Sequence, residues 1–464
     1  MKRREFSKLA GAAAVGILLS PSILASAKAG AKKRLVLVGT GMRGTTFWGK
    51  AIIENYGDIV EFVGLCDNNE GRLKYGKEFI GVDCPLYLDF DQMLDDTKPD
   101  LVMVSTIDSN HDEFIIKSLE RDIDVLTEKP MTTDEHKCAA IMKAERKSKA
   151  KVIVGFNYRW SPYMTRVKEL LEEKTIGKVT SVDFQWYLNT HHGAEYFRRW
   201  HGLEQYSGML WVHKATHHFD LLNWWLDSDP AEVFAMGDLE YYGSNGKIRG
   251  ENCRVCLHKN ECIFHRDITK NKLLMDLYVN NEKFDGYIRD NCVFRHAINI
   301  HDKMSAQIKY ANNTIVNYSL TTYSPFEGWR IAFNGTKGRI EAWLDIPYTK
   351  AQEIDQAKLH EMEMSQEQAR FMVHEPVIVH KLWNKYETEL VSFDRRGHGG
   401  GDRRLLDSIF KTPDAEDPLK HSASSRDGIL SVLIGVAARR SIEQNKLIRI
   451  ADLTDIRLSA NRMG

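Results

Sequence analysis

The chain has 464 residues, 43% hydrophobic and 28% charged, enough for two or three domains with cores of ordinary size. Its 64 basic and 64 acidic side chains cancel, which leaves no electrostatic footprint for nucleic acid or an anionic membrane surface. Small-molecule chemistry is the class that remains.

The first thirty residues read as an export signal and not as fold. RREFSK carries Arg3 and Arg4, a short run of small apolar residues follows, and ASAKA offers a cleavage region. A spanning helix needs about 20 apolar residues, more than this run supplies. The segment 1–30 is therefore expected to be a twin-arginine signal, and the protein periplasmic or otherwise exported. No later segment is long and apolar enough to span a membrane.

RLVLVG (34–39) reads as a buried strand, and Gly39, Gly41 and Gly44 follow in G-x-G-x-x-G spacing around Met42 and Arg43. Strand before and helix-compatible TTFWGKAIIEN after are the context the dinucleotide fingerprint requires. The first glycine permits the tight turn. The second lets backbone approach a pyrophosphate, and the third lets helix pack on strand. VEFVGLCD ends in Asp67, roughly twenty residues on, where a carboxylate can accept from both ribose hydroxyls and repel a 2′-phosphate. This predicts NAD rather than NADP. Strands and helices then alternate: DLVMVST, HDEFIIKSLERDID, DVLTEKP, a helix capped by Thr132 or Thr133, and VIVGFNYRW. Alternating βα units predict a parallel Rossmann sheet over 31–156, with ligands at the carboxyl ends of its strands.

The glycine turn, Asp67, the Ser105-Thr106 to His111 segment, Glu128-Lys129-Pro130 and Asn157-x-Arg159 together resemble the glucose–fructose oxidoreductase and inositol dehydrogenase (Gfo/Idh/MocA) superfamily, from about residue 33 to the C-terminus. The resemblance implies an α/β architecture: a Rossmann domain followed by an α+β domain with a large open, mostly antiparallel sheet. It places Ser105, His111, Glu128, Lys129 and Asn157 at the cofactor, with Lys129 at the nicotinamide–substrate junction. Tyr158 and Arg159 would face the substrate.

HKATHHFDLLNWW (213–225) puts His213, His217, Asp220 and Trp224 on one helical face and Ala215, Phe219, Leu222 and Leu226 on another. The superfamily usually shows D-x-x-x-H-x-x-D here. His217 and Asp220 match it, His213 replaces the first Asp, and Lys214 is added. The resemblance implies proton transfer at His217 and a sugar hydroxyl held by Asp220; His217 is read as general base, assisted by His213 and Lys129, with Lys214 at the substrate. His at i and i+4 with Asp220 is also a metal reading. Just upstream, AEYFRRWHG offers Arg198, Arg199, Trp200 and His201, a mixture of indole and donors suited to a sugar.

Residues 157–464 are read as the substrate and oligomerisation domain, ending in C-terminal helices. Sheet signals dominate from 179 to about 391. HGGGD (398–402) either brings His398 to the pocket or caps a helix with Asp402. An insertion at 243–292 holds Cys253, Cys256, Cys262 and Cys292, expected as a structural zinc site, with disulfides the alternative in an exported chain. The insertion is read as scaffold. A homo-oligomer is expected from the open sheet face. Two functions follow: an NAD-dependent oxidoreductase taking hydride from a sugar or glycoside carbon, C3 by preference, or an NAD-dependent glycoside hydrolase working by transient C3 oxidation and elimination. Either would need tightly bound NAD outside the cytoplasm.

Overall fold

The computed structural model describes residues 31–344 and 371–462; the expected export signal lies outside them. Six parallel strands form the first sheet: β1 (Lys33–Val38), β2 (Val60–Cys66), β3 (Leu86–Tyr87), β4 (Leu101–Val104), β5 (Asp124–Thr127) and β6 (Val152–Val154). Their order is β3-β2-β1-β4-β5-β6. The central strands are apolar on both faces because helices cover both: LVMV of β4 is wholly buried. Sequence order reverses between β1 and β4, and a doubly wound sheet opens a crevice at the carboxyl ends of that pair.

The connecting helices are α1 (Ile52–Tyr56), entered through a π-helical stretch Gly44–Ala51, then α2 (Glu70–Ile80), α3 (Phe90–Thr97), α4 (His111–Leu119) and α5 (Glu135–Glu145). Asn69 caps α2 and Asp89 caps α3, each accepting from a backbone amide three residues on. Asp134 caps α5 in the same way. The expected caps Thr132 and Thr133 lie one turn-corner too early, because the chain is still extended there.

The second sheet has nine strands: β7 (Val179–Asn189), β8 (Pro230–Asp238), β9 (Lys303–Tyr310), β10 (Ile315–Ser324), β11 (Gly328–Gly335), β12 (Gly338–Leu344), β13 (Met372–Lys381), β14 (Tyr386–Asp394) and, after a short strand β15 (Ala423–Ser424) that joins β6 instead, β16 (Ile448–Arg449). Neighbours run antiparallel except β7 and β10. Along β9, Met304, Ala306, Ile308 and Tyr310 are buried while Lys303, Ser305, Gln307 and Lys309 are exposed, the period-two signature of a sheet with one covered face.

That face is covered by α6 (Pro162–Glu172), by α8 (Met209–His213) and α9 (Ala215–Trp225), which follow α7 (Thr190–Arg198), and by the long α11 (Ser425–Gln444), which comes after α10 (Gly401–Phe410). A capping box of Ser424 and Asp427 starts α11. As the sequence predicts, α11 packs back between the domains, against α5 and β6 on one side and β8 and α9 on the other. Among the described residues no helix is long and apolar enough to cross a membrane.

The insertion is not peripheral. Ile268, Leu274, Leu277 and Tyr278 form a small apolar cluster against Met42 and Tyr75 of the first domain. The Met42 amide donates to the Tyr278 hydroxyl at 2.8 Å, Asn69 Nδ2 donates to the Asn281 carbonyl at 3.0 Å, and Arg72 pairs with Asp285 at 2.5 Å.

Candidate active site

A cavity of about 1080 Å³ runs between the two domains, at the upper end of the range of about 300–1,000 Å³ for ligand sites. Its floor is the glycine turn. Gly39 has φ +93°, and a Cβ there would stand 2.3 Å from the Ser105 carbonyl; one on Gly44 would stand 1.9 Å from the Gly39 carbonyl. These two are required by close packing. A Cβ on Gly41 meets nothing nearer than the Tyr278 hydroxyl at 3.5 Å, so Gly41 is the glycine that leaves room for a ligand. Gly41, Met42, Arg43, Ser105, His111, Glu128, Lys129 and Asn157 all line the cavity, as a dinucleotide site requires, and the residues present fit NAD. Asp67 does not line it. Its carboxylate accepts from the Thr40 amide (2.7 Å) and hydroxyl (3.1 Å), from the Asn69 amide (2.8 Å) and from Arg72 (3.4 Å). Its visible work is to brace the turn from below.

A buried ionic network fixes the next layer. Glu128 accepts from Arg43 (2.6 Å) and from the Trp48 indole (2.8 Å). Arg43 also pairs with Asp402 (3.3 Å), which accepts from Asn157 Nδ2 (2.6 Å) and contacts His398 Nδ1 (3.1 Å). Burial alone would raise the Glu128 carboxyl; Arg43 and Lys129 outweigh it and hold it down. His398 does reach the cavity, and Asp402 serves the network instead of a cap. His111 sets its two ring nitrogens against the carbonyls of Pro130 (2.8 Å) and Thr106 (3.3 Å), tying the β4 loop to the cis Lys129–Pro130 corner. From that corner the Lys129 ammonium donates to the His213 carbonyl at 3.1 Å, so the strand end of one domain touches the histidine segment of the other.

That segment is broken into α8 and α9 at Lys214, and every residue of α9 is buried. Of the expected polar face, His213, Lys214 and His217 line the cavity. His213 Nδ1 lies 2.5 Å from the Asp108 carboxylate, so an acid supplied by the first domain partners the imidazole that replaces the family's first Asp. His217 packs beside Tyr158, ring centroids 4.7 Å apart, with its Nδ1 buried and without a partner. Burial first, then Lys129 and His398, push its pKa well below the ordinary imidazole value. Its imidazole is thereby held toward the neutral form.

Asp220 and Arg159 are elsewhere. They form a two-bond ion pair (2.6 and 2.8 Å), with Arg159 2% and Asp220 1% exposed, and neither lines the cavity. Asp427 adds a second carboxylate to Arg159 at 3.0 Å. The expected substrate roles of both residues are therefore corrected to a structural one: a guanidinium and a carboxylate this deep satisfy each other. The metal reading of His213, His217 and Asp220 falls with them, since no group of His, Cys, Asp or Glu able to hold a metal ion is found among the described residues.

The far wall carries Tyr158, Arg199, Trp200 and His201 as expected. Trp200 stacks on His201 at 3.6 Å, and His201 stands 4.2 Å from His213. The insertion contributes Phe264, Tyr278 and Arg289, so it is wall as well as scaffold. Its cysteines do not make the expected zinc site. All seven cysteines are free thiols; Cys253 Sγ accepts from Arg198 at 3.0 Å and Cys292 Sγ from the Phe294 amide at 3.4 Å. Among the described residues no group of Cys, His, Asp or Glu that could hold a metal ion is found. Sequence reasoning missed Asp108, Arg289 and Tyr278. Asp108 sits inside the Ser105–His111 segment as an unassigned position, and the other two lie in the insertion.

Residues 33–156 match the GFO_IDH_MocA family description "Oxidoreductase family, NAD-binding Rossmann fold", and 168–450 match its "C-terminal alpha/beta domain". The chain is 35% identical over 442 residues to YteT of Bacillus subtilis strain 168, an oxidoreductase by name, covering 91% of this chain and 98% of that one. It is 26% identical over 225 residues to myo-inositol 2-dehydrogenase of Thermotoga maritima, spanning 46% of this chain and 62% of the relative. Among solved structures, levoglucosan dehydrogenase with NADH and levoglucosan superposes with a TM-score of 0.62 at 15% identity, over 90% of this chain and 100% of that chain. The WlbA dehydrogenase of Bordetella pertussis, with NADH and UDP-GlcNAcA, gives 0.61 at 17% identity, over 90% and 97%. At these identities the two structures establish the fold.

Proposed function

The chain belongs to the Gfo/Idh/MocA oxidoreductase family, and from that premise we propose an NAD-dependent oxidoreductase that acts on a hydroxyl of a sugar or glycoside, at C3, with a tightly held cofactor. The observation that carries the reading is one shared cavity: the open glycine of the turn, the Lys129 ammonium and a neutral, buried His217 all line it. NAD bound there supplies the hydride acceptor. His217 takes the hydroxyl proton on the ring nitrogen left to the cavity, since its Nδ1 is sealed. Lys129 has donors to spare beyond the His213 carbonyl and holds the reacting oxygen. Trp200 and Tyr158 give the sugar apolar faces and exclude water. NAD is preferred to NADP because the residue after β2 is the acid Asp67, whose charge beneath the turn disfavours a 2′-phosphate although its carboxylate is engaged by protein donors, and Arg72, the cation beside it, is paired with Asp285.

Export, read from Arg3 and Arg4, belongs to the same proposal: free NAD is scarce outside the cytoplasm, so the cofactor must be reset in place. Self-association through the open sheet face belongs to it too.

The His213–Asp108 pair supports a second reading. It is a proton site separate from His217 and in the same cavity. A glycoside hydrolase that oxidises C3, removes the acidified C2 proton, expels the aglycone, adds water and reduces C3 again needs two such sites. The two readings separate in one experiment: incubation with simple glycosides and no added acceptor. The oxidoreductase gives at most one equivalent of keto-sugar per bound NAD. The hydrolase releases aglycone over many turnovers and leaves solvent deuterium at C2. Protein that contains no nucleotide and is not thermally stabilised by NAD would overturn both.

A further inference from the structure

We propose that Arg199 and Arg289 form a subsite for an oxyanion on the sugar, a carboxylate of the uronic-acid type, so that the substrates are acidic rather than neutral. This deepens the oxidoreductase reading and rests on it.

Four guanidiniums, those of Arg198, Arg199, Arg266 and Arg289, crowd one carboxylate, Glu195. Arg266 holds Glu195 at 2.5 Å and Arg198 at 3.2 Å. Arg198 is further engaged by the Phe264 carbonyl at 2.9 Å and by Cys253. Two of the four are thereby accounted for. Arg289 reaches Glu195 only at 4.0 Å, and among the described residues no carboxylate lies within ion-pair distance of Arg199. Arg289 is 8% exposed. The Nε atoms of both arginines and His201 Nδ1 are buried with no acceptor. Arg199 Nη2 touches only the neutral ring of His201, at 3.2 Å.

Cations with no full counter-ion in a half-buried wall are costly, and their unmet donors are satisfied by water or by a ligand with acceptors to offer. Both arginines line the cavity, and so does Lys129. Two acidic side chains of this cavity, Glu195 and Asp108, are already engaged. Glu195 is shared by Arg266 and Arg198, and Asp108 is paired with His213 at 2.5 Å. The cavity therefore asks for negative charge from its ligand. A carboxylate presents two oxygens in a plane, which a guanidinium fork matches.

The cofactor's pyrophosphate is the other oxyanion within reach. Arg289 stacks over the Tyr278 ring at 4.8 Å, and Tyr278 touches the glycine turn. Arg199, however, adjoins Trp200 and His201, which pack on His213. Arg199 thus faces the reacting end of the cavity, where the sugar is placed, and Arg289 stands close enough to it for the two charges to repel.

The test uses the full chain with its NAD. Calorimetry and initial rates compare methyl glycosides of glucuronic and galacturonic acid with those of glucose and galactose. The acidic glycosides should bind at least about 30-fold more tightly than their neutral counterparts, the effect of one well-met buried charge. R199A and R289A should remove that preference, R289K should restore part of it, and bound NAD per chain should stay unchanged. Equal binding of acidic and neutral sugars by the unaltered protein, or no binding of either, overturns the proposal without any variant. Loss of NAD in R289A with acid preference intact assigns the oxyanion to the pyrophosphate and overturns it too. If acidic sugars bind through these arginines but no sugar is oxidised, the subsite stands and the oxidoreductase reading fails. If neutral sugars are oxidised as well as acidic ones, the reverse holds.

Discussion

Replacing Asp220 by alanine should damage stability and spare the sugar. Arg159 is 2% exposed and makes its two shortest carboxylate bonds to Asp220, at 2.6 and 2.8 Å; Asp427 at 3.0 Å and the Lys420 carbonyl at 3.1 Å are what remain. Breaking a buried pair by removing one partner costs about 3–5 kcal/mol, because the other charge is left in a low-dielectric site. Asp427 keeps part of the compensation, so about 3 kcal/mol is expected. At roughly 2 °C per kcal/mol for a large domain, the melting temperature should fall by about 6 °C, measured by scanning calorimetry on NAD-loaded protein. KM for any turned-over sugar should stay within a factor of about two, since Asp220 does not line the cavity. The double replacement R159M/D220L should recover most of the loss, as apolar substitutes for buried pairs do. An unchanged melting temperature with KM raised tenfold or more would refute the reasoning and return Asp220 to the sugar.

His217→Ala should lower kcat by about 10²–10⁴, the contribution of a positioned general base, with NAD content per chain unchanged; wild-type turnover in that variant would remove His217 from the chemistry. Because burial and Lys129 push the His217 pKa well below 6.5, the base stays deprotonated as pH falls through the ordinary imidazole range. The acidic limb of kcat/KM should accordingly lie below pH 6.5, and a limb centred at 6.5 or above contradicts a buried base. Chelator treatment should leave the melting temperature unchanged and denatured protein should titrate seven thiols; about one zinc per chain, with stability lost on its removal, would reinstate the metal.

What could be read from the chain was local. The strand RLVLVG, the glycine spacing and Glu128-Lys129-Pro130 are contiguous signals, and each sits where its pattern placed it. The cysteine spacing was equally local and misled: among the described residues the insertion assembles no metal-holding group, and Arg198, 55 residues from Cys253, donates to its sulfur. Pairings chosen by tertiary neighbours were not legible. Asp108 meets His213 across 105 residues and Arg159 meets Asp220 across 61. A family pattern therefore put Asp220 on the sugar, although the helix had already turned it toward Arg159. The order of the second sheet was closed to sequence for the same reason: β7 pairs in parallel with β10, an alignment of distant segments that no hairpin turn announces.

The bonds from Tyr278, Asn281 and Asp285 to the glycine turn and α2 set a timetable for biosynthesis. Residues 33–156 leave the ribosome first, and the latch is complete only once Asp285 has followed. At about 5–20 residues per second, that interval is roughly 6–25 s. During it the nucleotide crevice exists without its cross-domain fastening. A dinucleotide that enters in that interval meets a glycine turn still free of the second domain, and the fastening then closes beside a crevice already filled.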